Sequence, residues 1–91
     1  MSMTPIYVAA LSRVVARNFV QTDLCEDPRR LVFIDDPNHL RGLSYAILYL
    51  HSTASRHPKF AEICERAALQ GMIIATVDDS HARRRYAATH L

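Results

Sequence analysis

The sequence has few of the residues that build tight turns and cross-links. Only 2 of the 91 residues are Gly and only 2 are Cys, and there is no Trp. Scarce Gly and the lack of any Gly/Ser-rich window exclude an internal linker and argue against a many-turned β fold. Cys25 and Cys64 form no C-x-x-C pair, so a scaffold built on disulfides is excluded. We expect two reduced thiols, as is usual in cytoplasmic proteins.

Long apolar runs are also missing. No stretch approaches the roughly 20 residues that span a membrane. Near the N-terminus, Arg13 and Arg17 interrupt the apolar stretch and no basic residue precedes it, which makes a poor secretory signal. An ordinary amphipathic helix explains this segment better than an organellar transit peptide. The predicted location is therefore the cytoplasm, with no membrane partner.

What the chain does contain is apolar material and arginine. Apolar residues make up 49% of the sequence, which excludes a generally disordered chain. The net charge is +2, and every basic residue except Lys59 is Arg. We predict a single domain over residues 1–91. Because a chain of this length buries a small share of its surface, association with another subunit would help its stability.

Three X-Pro pairs divide the chain into predicted helices. Each pair combines a residue able to cap a helix with a Pro suited to the first helical position. The pairs are Thr4-Pro5, Asp36-Pro37 and His57-Pro58. Apolar residues then recur at helical spacing. The sequence thus predicts a mainly α fold, a small bundle of three to four helices at about 5–20, 37–56, 58–70 and 79–89. Short strands at 31–34 and 72–77 are the open question, since they would give a small α+β fold instead.

Two similar segments carry the acidic pairs. In LVFIDDPNHLR at 31–41 and TVDDSHAR at 76–83, an apolar run ends in Asp-Asp and a His follows within three residues. Neither segment offers more than two carboxylates and one imidazole, which is too few ligands for a metal site. Helix capping explains the pattern locally, because Asp is a preferred N-cap and suits the positive end of the helix dipole. We predict no metal and no cofactor. A small metal-dependent enzyme, kept as the third hypothesis, would use Asp35, Asp36, His39, Asp78, Asp79 and His81.

The predicted helix 37–56 has two apolar sides. Its aliphatic stripe suits a core, whereas Tyr45, Leu48 and Tyr49 lie toward the opposite side. Tyr and Arg are enriched at the centres of protein interfaces. We therefore predict a partner-binding face made of Arg41, Tyr45, Leu48, Tyr49, Ser52 and Arg56.

The leading functional hypothesis is a small non-enzymatic regulatory protein. It would act by protein–protein interaction, as a homodimer that also binds another protein. An inhibitor or anti-activator of a transcription factor is one example. The alternative is a nucleic-acid-binding transcriptional regulator, in which Arg83, Arg84 and Arg85 contact phosphates or another anion. The low net charge and the missing helix-turn-helix signature favour the first hypothesis.

Overall fold

A computed structural model describes residues 4–77, and its centre is a parallel β-sheet. Within these residues four strands form one sheet, with every neighbouring pair parallel. The bundle of three to four helices predicted from the sequence is therefore wrong. The class is a small α+β fold, the alternative that the apolar runs at 31–34 and 72–77 left open.

The elements alternate between strands and short helices. The strands are β1 (Ile6–Ala9), β2 (Leu31–Phe33), β3 (Ile47–His51) and β4 (Ile73–Val77), in the spatial order β2-β1-β3-β4. The α-helices are α1 (Arg13–Asn18), which continues into a π-helical segment at Phe19–Asp23, and α2 (Phe60–Leu69). Short 3₁₀ helices lie at Pro28–Arg30, Pro37–Leu40 and Ser52–Arg56.

The predicted helix 5–20 is wrong in its first half. Residues Ile6–Ala9 form the central strand β1, which pairs with β2 on one side and β3 on the other. The helix begins only at Arg13, after Ser12, whose side chain caps it by accepting a hydrogen bond from the Val15 backbone N–H. Both faces of β1 are covered, so its apolar residues run continuously instead of alternating. Periodicity cannot separate such a run from a buried helix.

The predicted helix 37–56 is wrong for the same reason. Its start is a single 3₁₀ turn, Pro37–Leu40, and its middle is strand β3, Ile47–His51. Between them Gly42 and Tyr45 both have positive φ angles, of 77° and 65°, which no α-helix contains. In a strand successive side chains point to opposite faces, so residues that would lie on one side of a helix are separated here.

Three shorter predictions agree with the structure. The helix predicted at 58–70 is α2, Phe60–Leu69. The two suggested strands, 31–34 and 72–77, are β2 and β4. They do not pair with each other, however, because β1 and β3 lie between them and place them at opposite edges of the sheet. The helix predicted at 79–89 falls outside the described residues.

The two helices cover opposite faces of the sheet. On one face α1 and the π-helical segment pack Ala16, Phe19 and Val20 against Ile6 and Val8 of β1. On the other face α2 and the segments before and after β3 bury an aliphatic cluster that contains Ile34, Leu40, Leu48, Leu50, Ile63 and Ala67. Neither helix of this part of the chain is long and apolar enough to cross a membrane. The sheet therefore has one apolar layer on each side, as parallel sheets require.

Candidate functional site

The carboxyl ends of β1 and β3 are the first place to look for a site. In open parallel sheets, ligands usually bind where the chain leaves two adjacent strands toward opposite faces. Here the loop after β1 leads to α1, and the segment after β3 leads to α2 on the other face. The two loops are joined directly, because the Leu11 backbone N–H donates to Thr53 Oγ1 at 3.0 Å. This hydrogen bond bridges the position that a ligand would take in larger sheets of this kind.

His51, the last residue of β3, is held by the same hydrogen-bonded group. Its Nδ1 accepts from the Thr53 backbone N–H at 3.2 Å and lies 2.9 Å from Thr53 Oγ1. Since Nδ1 is an acceptor, the ring proton is on Nε2. The ring also packs edge-on against Phe19, with centroids 5.8 Å apart. The imidazole thus orders the segment after β3 and fixes the hydroxyl that joins it to β1.

The first Asp-Asp pair also lies at the carboxyl ends of the strands, after β2, and each carboxylate has a partner. Asp35 Oδ1 is 2.9 Å from Nε2 of His57, a side chain that is almost fully buried. His57 Nδ1 accepts a hydrogen bond from the Lys59 backbone N–H. The ring proton is therefore on Nε2, which donates a hydrogen bond to Asp35. In this tautomer neither ring nitrogen has a free lone pair. The Asp35–His57 pair therefore links the end of β2 to the start of α2.

Asp36 combines the predicted cap with an ion pair. Its Oδ1 accepts from the Asn38 backbone N–H at 2.8 Å, so the prediction that Asp36 begins a helix is confirmed, although that helix is one 3₁₀ turn. Its Oδ2 lies 2.5 Å from Lys59 Nζ. The hydrogen bond from Lys59, together with the one from Asn38, lowers the pKa of Asp36, and the same contact raises the pKa of Lys59. His39 accepts a hydrogen bond from the Asp35 backbone N–H.

The metal hypothesis needs more donors than this edge brings together. Among residues 4–77, no group of three or more His, Cys, Asp or Glu side chains is placed to hold a metal ion. The second acidic pair, Asp78 and Asp79, lies outside the described residues, as do His81 and the run Arg83, Arg84 and Arg85. Cys64 is a free thiol packed against the α2-side core, where burial raises its pKa.

The predicted partner-binding residues do not share one face. Leu48 is fully buried on the α2 side of the sheet. Tyr49 points to the α1 side, where its ring lies 5.8 Å from that of Phe19. Tyr45 is 81% exposed. The remaining three are exposed and lie in separate segments before and after β3, namely Arg41, Ser52 and Arg56.

An exposed apolar surface lies instead around the amino end of β4, and we call it the β4 surface. It consists of Tyr45, Ile47, Ile73 and Ile74. Ile47 and Ile73 are direct partners in the β3–β4 ladder, with exposures of 44% and 58%. The Tyr45 ring lies over Gly71, 3.6 Å from the position that a Cβ would occupy there. The ladder register places Ile47 and Ile73 on the α1 face of the sheet, whereas Ile74, the partner of Leu48, points to the α2 face of the same strand.

Two features of the β4 surface are costly for an isolated chain. The φ angle of Tyr45 is 65°, in the left-handed region that costs a residue with a Cβ about 1–2 kcal/mol. In addition, β4 is one of the two edge strands of the sheet formed by residues 4–77, and its sequence IIATV contains no charge and no Pro. Edge strands are usually protected by such residues, because an unpaired apolar edge accepts another strand.

Ile47, Ile73 and Ile74 are not among the partner-binding residues predicted from the sequence. The signal for Ile73 and Ile74 is the uncharged, β-branched run at 72–77, which predicts a strand but not its position at an edge, and Ile47 falls on the aliphatic stripe of the predicted helix 37–56. Tyr45 is among the partner-binding residues predicted from the sequence, although no α-helix spans residues 37–56 to group them.

Comparison with models of protein families, with curated proteins and with solved structures found no match to this chain.

Proposed function

We propose that this chain is a small, non-enzymatic interaction protein that forms a homodimer through β4. The single observation that carries the proposal is Tyr45, a large aromatic side chain that is 81% exposed on a left-handed backbone beside the apolar pair Ile47 and Ile73. Strained backbone persists where surrounding structure or function requires it. Tyr is enriched among the residues that carry the binding energy of interfaces, and apolar neighbours extend the contact around it.

A second copy of the chain fits this edge. Two β4 strands can pair antiparallel about a twofold axis, and such an interface is self-complementary because both sides present the same residues. Centred on Ala75, the pairing sets Ile73 of one copy opposite Val77 of the other. The two four-stranded sheets formed by residues 4–77 then become one sheet of eight, and β4 of each copy pairs on both sides. The contact is short, so we expect a dimer that dissociates in the micromolar range.

Regulation of another protein is the role that we propose for this dimer. It would change the assembly or activity of that protein, for example as an inhibitor or anti-activator of a transcription factor. We propose the cytoplasm as its location, and the free thiols of Cys25 and Cys64 support this because reduced cysteines are usual there.

Sedimentation velocity tests the dimer. We expect the wild-type protein to change from monomer to dimer as its concentration rises, and Ile73→Lys to remain a monomer because it places a charge on the edge. Tyr45→Asn should also weaken the dimer, and because Asn tolerates a positive φ it should leave the fold intact. Val14→Lys is the matched control, since Val14 is an exposed apolar residue on α1.

Circular dichroism of each variant shows whether the fold is retained. A wild-type protein that stays monomeric up to hundreds of micromolar would overturn the proposal. So would a folded Ile73→Lys variant that dimerises as strongly as Val14→Lys.

A further inference from the structure

A second feature, on the α1 side of the molecule, is a basic groove. It is an open groove of about 300 Å³ between α1 and the segment that leads into β2. Its charged lining is Arg13 and Arg17 from α1 and Arg29 from the 3₁₀ turn, and Pro28 and Leu31 form its apolar part. We call it the arginine groove. It lies away from β4, at the opposite edge of the sheet.

Two of its three charges have no partner among residues 4–77. Arg29 is paired with the Asp27 carboxylate at 2.7 Å, a contact that raises the pKa of Arg29 and lowers that of Asp27. Arg13 and Arg17, by contrast, form no ion pair and no side-chain hydrogen bond with any residue between 4 and 77. They are also spaced i,i+4 on the helix, where like charges repel. The arrangement weakens α1 slightly and concentrates a charge of about +2 in one groove.

The position of the Arg13 guanidinium is fixed by a neighbouring ring. Its central carbon lies 5.9 Å from the centroid of Phe33 in β2, within the range of a cation–π contact. Such a contact holds the guanidinium plane and leaves its N–H groups to donate elsewhere. On the next turn, Arg17 follows Ala16, which is fully buried against the sheet and anchors the helix. The Arg13 guanidinium and the backbone that carries Arg17 are therefore positioned by the fold.

We propose that the arginine groove binds the terminal phosphate of a small phosphate monoester. Such a phosphate carries a charge of about −1.5 to −2 at pH 7, which matches the combined charge of the Arg13 and Arg17 guanidinium groups. Arg donates pairs of parallel N–H groups that suit phosphate oxygens. The volume of the groove is at the lower limit for small-molecule sites, so it suits a phosphate group and not a complete nucleotide. Pro28 and Leu31 provide an apolar wall for the carbon atoms next to the ester oxygen.

Titration with phenyl phosphate, followed by backbone amide NMR shifts, tests this site. We expect saturable shifts that centre on residues 13–17 and 28–31. Arg17→Gln should raise the Kd about tenfold, since it removes a charged hydrogen-bond donor. Arg41→Gln is the matched control, because it removes an exposed Arg that does not line the groove, and its Kd should stay within about twofold of wild type.

Phenyl sulfate has nearly the same shape as phenyl phosphate but a smaller negative charge, so comparing the two esters measures the effect of charge. This ester is a monoanion, so we expect it to bind several-fold more weakly than phenyl phosphate. Equal binding of the two esters would overturn the proposal, as would an equal loss of affinity in Arg17→Gln and Arg41→Gln. A DNA duplex that binds more tightly than phenyl phosphate and loses affinity with Arg17→Gln would assign the groove to a diester backbone and also overturn it.

Discussion

Replacement of Leu48 by Ala distinguishes the sheet from the helix that the sequence predicts. On a helix over 37–56, Leu48 would lie on the outer side, where Ala is tolerated and is the better helix former. In the structure Leu48 is in β3, between β1 and β4, and is fully buried under α2. Removing a buried Leu side chain costs its transfer free energy plus a cavity term, 2–5 kcal/mol in well-packed cores. We expect a loss of about 3 kcal/mol in the free energy of unfolding.

Urea denaturation followed by far-UV circular dichroism measures this change. A domain of this length has a free energy of unfolding of roughly 5–14 kcal/mol, so the loss should move the midpoint clearly. Leu48→Met, which conserves volume, should cost less than about 1.5 kcal/mol. Val14→Ala, on a side chain that is 68% exposed, should stay within about 0.5 kcal/mol of wild type. A Leu48→Ala variant as stable as Val14→Ala would refute the placement of β3 inside the sheet.

Two further predictions concern the positive φ angle of Gly42 and the Asp36–Lys59 ion pair. Gly42→Ala should lower the free energy of unfolding by about 1 kcal/mol, because the φ of Gly42 is 77°. The space around Gly42 is open, so the added methyl group meets no other atom. An unchanged urea midpoint would contradict this backbone geometry. The pKa of Asp36 is lowered in the folded state, so its contribution to stability is complete above the unfolded pKa of about 3.9 and is lost as pH falls through the folded value. Asp36→Asn should therefore flatten the acid side of the stability–pH curve, and a curve that keeps its slope below pH 4 would count against the Asp36–Lys59 pair.

The sequence predicted helix α2 and the edge strands β2 and β4 better than the two central strands. Helix α2 and strands β2 and β4 lie within about two residues of the predicted positions, and Asp36 caps a helical turn as its neighbouring Pro37 suggests. The central strands β1 and β3 were both assigned to helices. A strand covered on two faces has no polar alternation, so its apolar residues satisfy helical spacing by chance.

In the candidate sites, too, local features were recognisable from the sequence, whereas contacts between distant elements were not. Tyr45 was recognisable as an aromatic residue with no obvious core partner, but its neighbours Ile47 and Ile73 come from different strands and meet only through the β3–β4 ladder. In the arginine groove, Arg13 and Arg17 are one helical turn apart, whereas Arg29 reaches them only because β2 pairs with β1.

By itself the sequence determined some local features of this protein: the cap at Asp36, which runs are apolar, and that positive charge is carried almost entirely by arginine. These depend on interactions between residues a few positions apart. Only the tertiary structure decided that four strands are parallel, which of them lie at an edge, and which apolar side chains stay exposed. Strand order and burial depend on pairing between residues far apart in sequence, and no local pattern of side chains encodes that pairing.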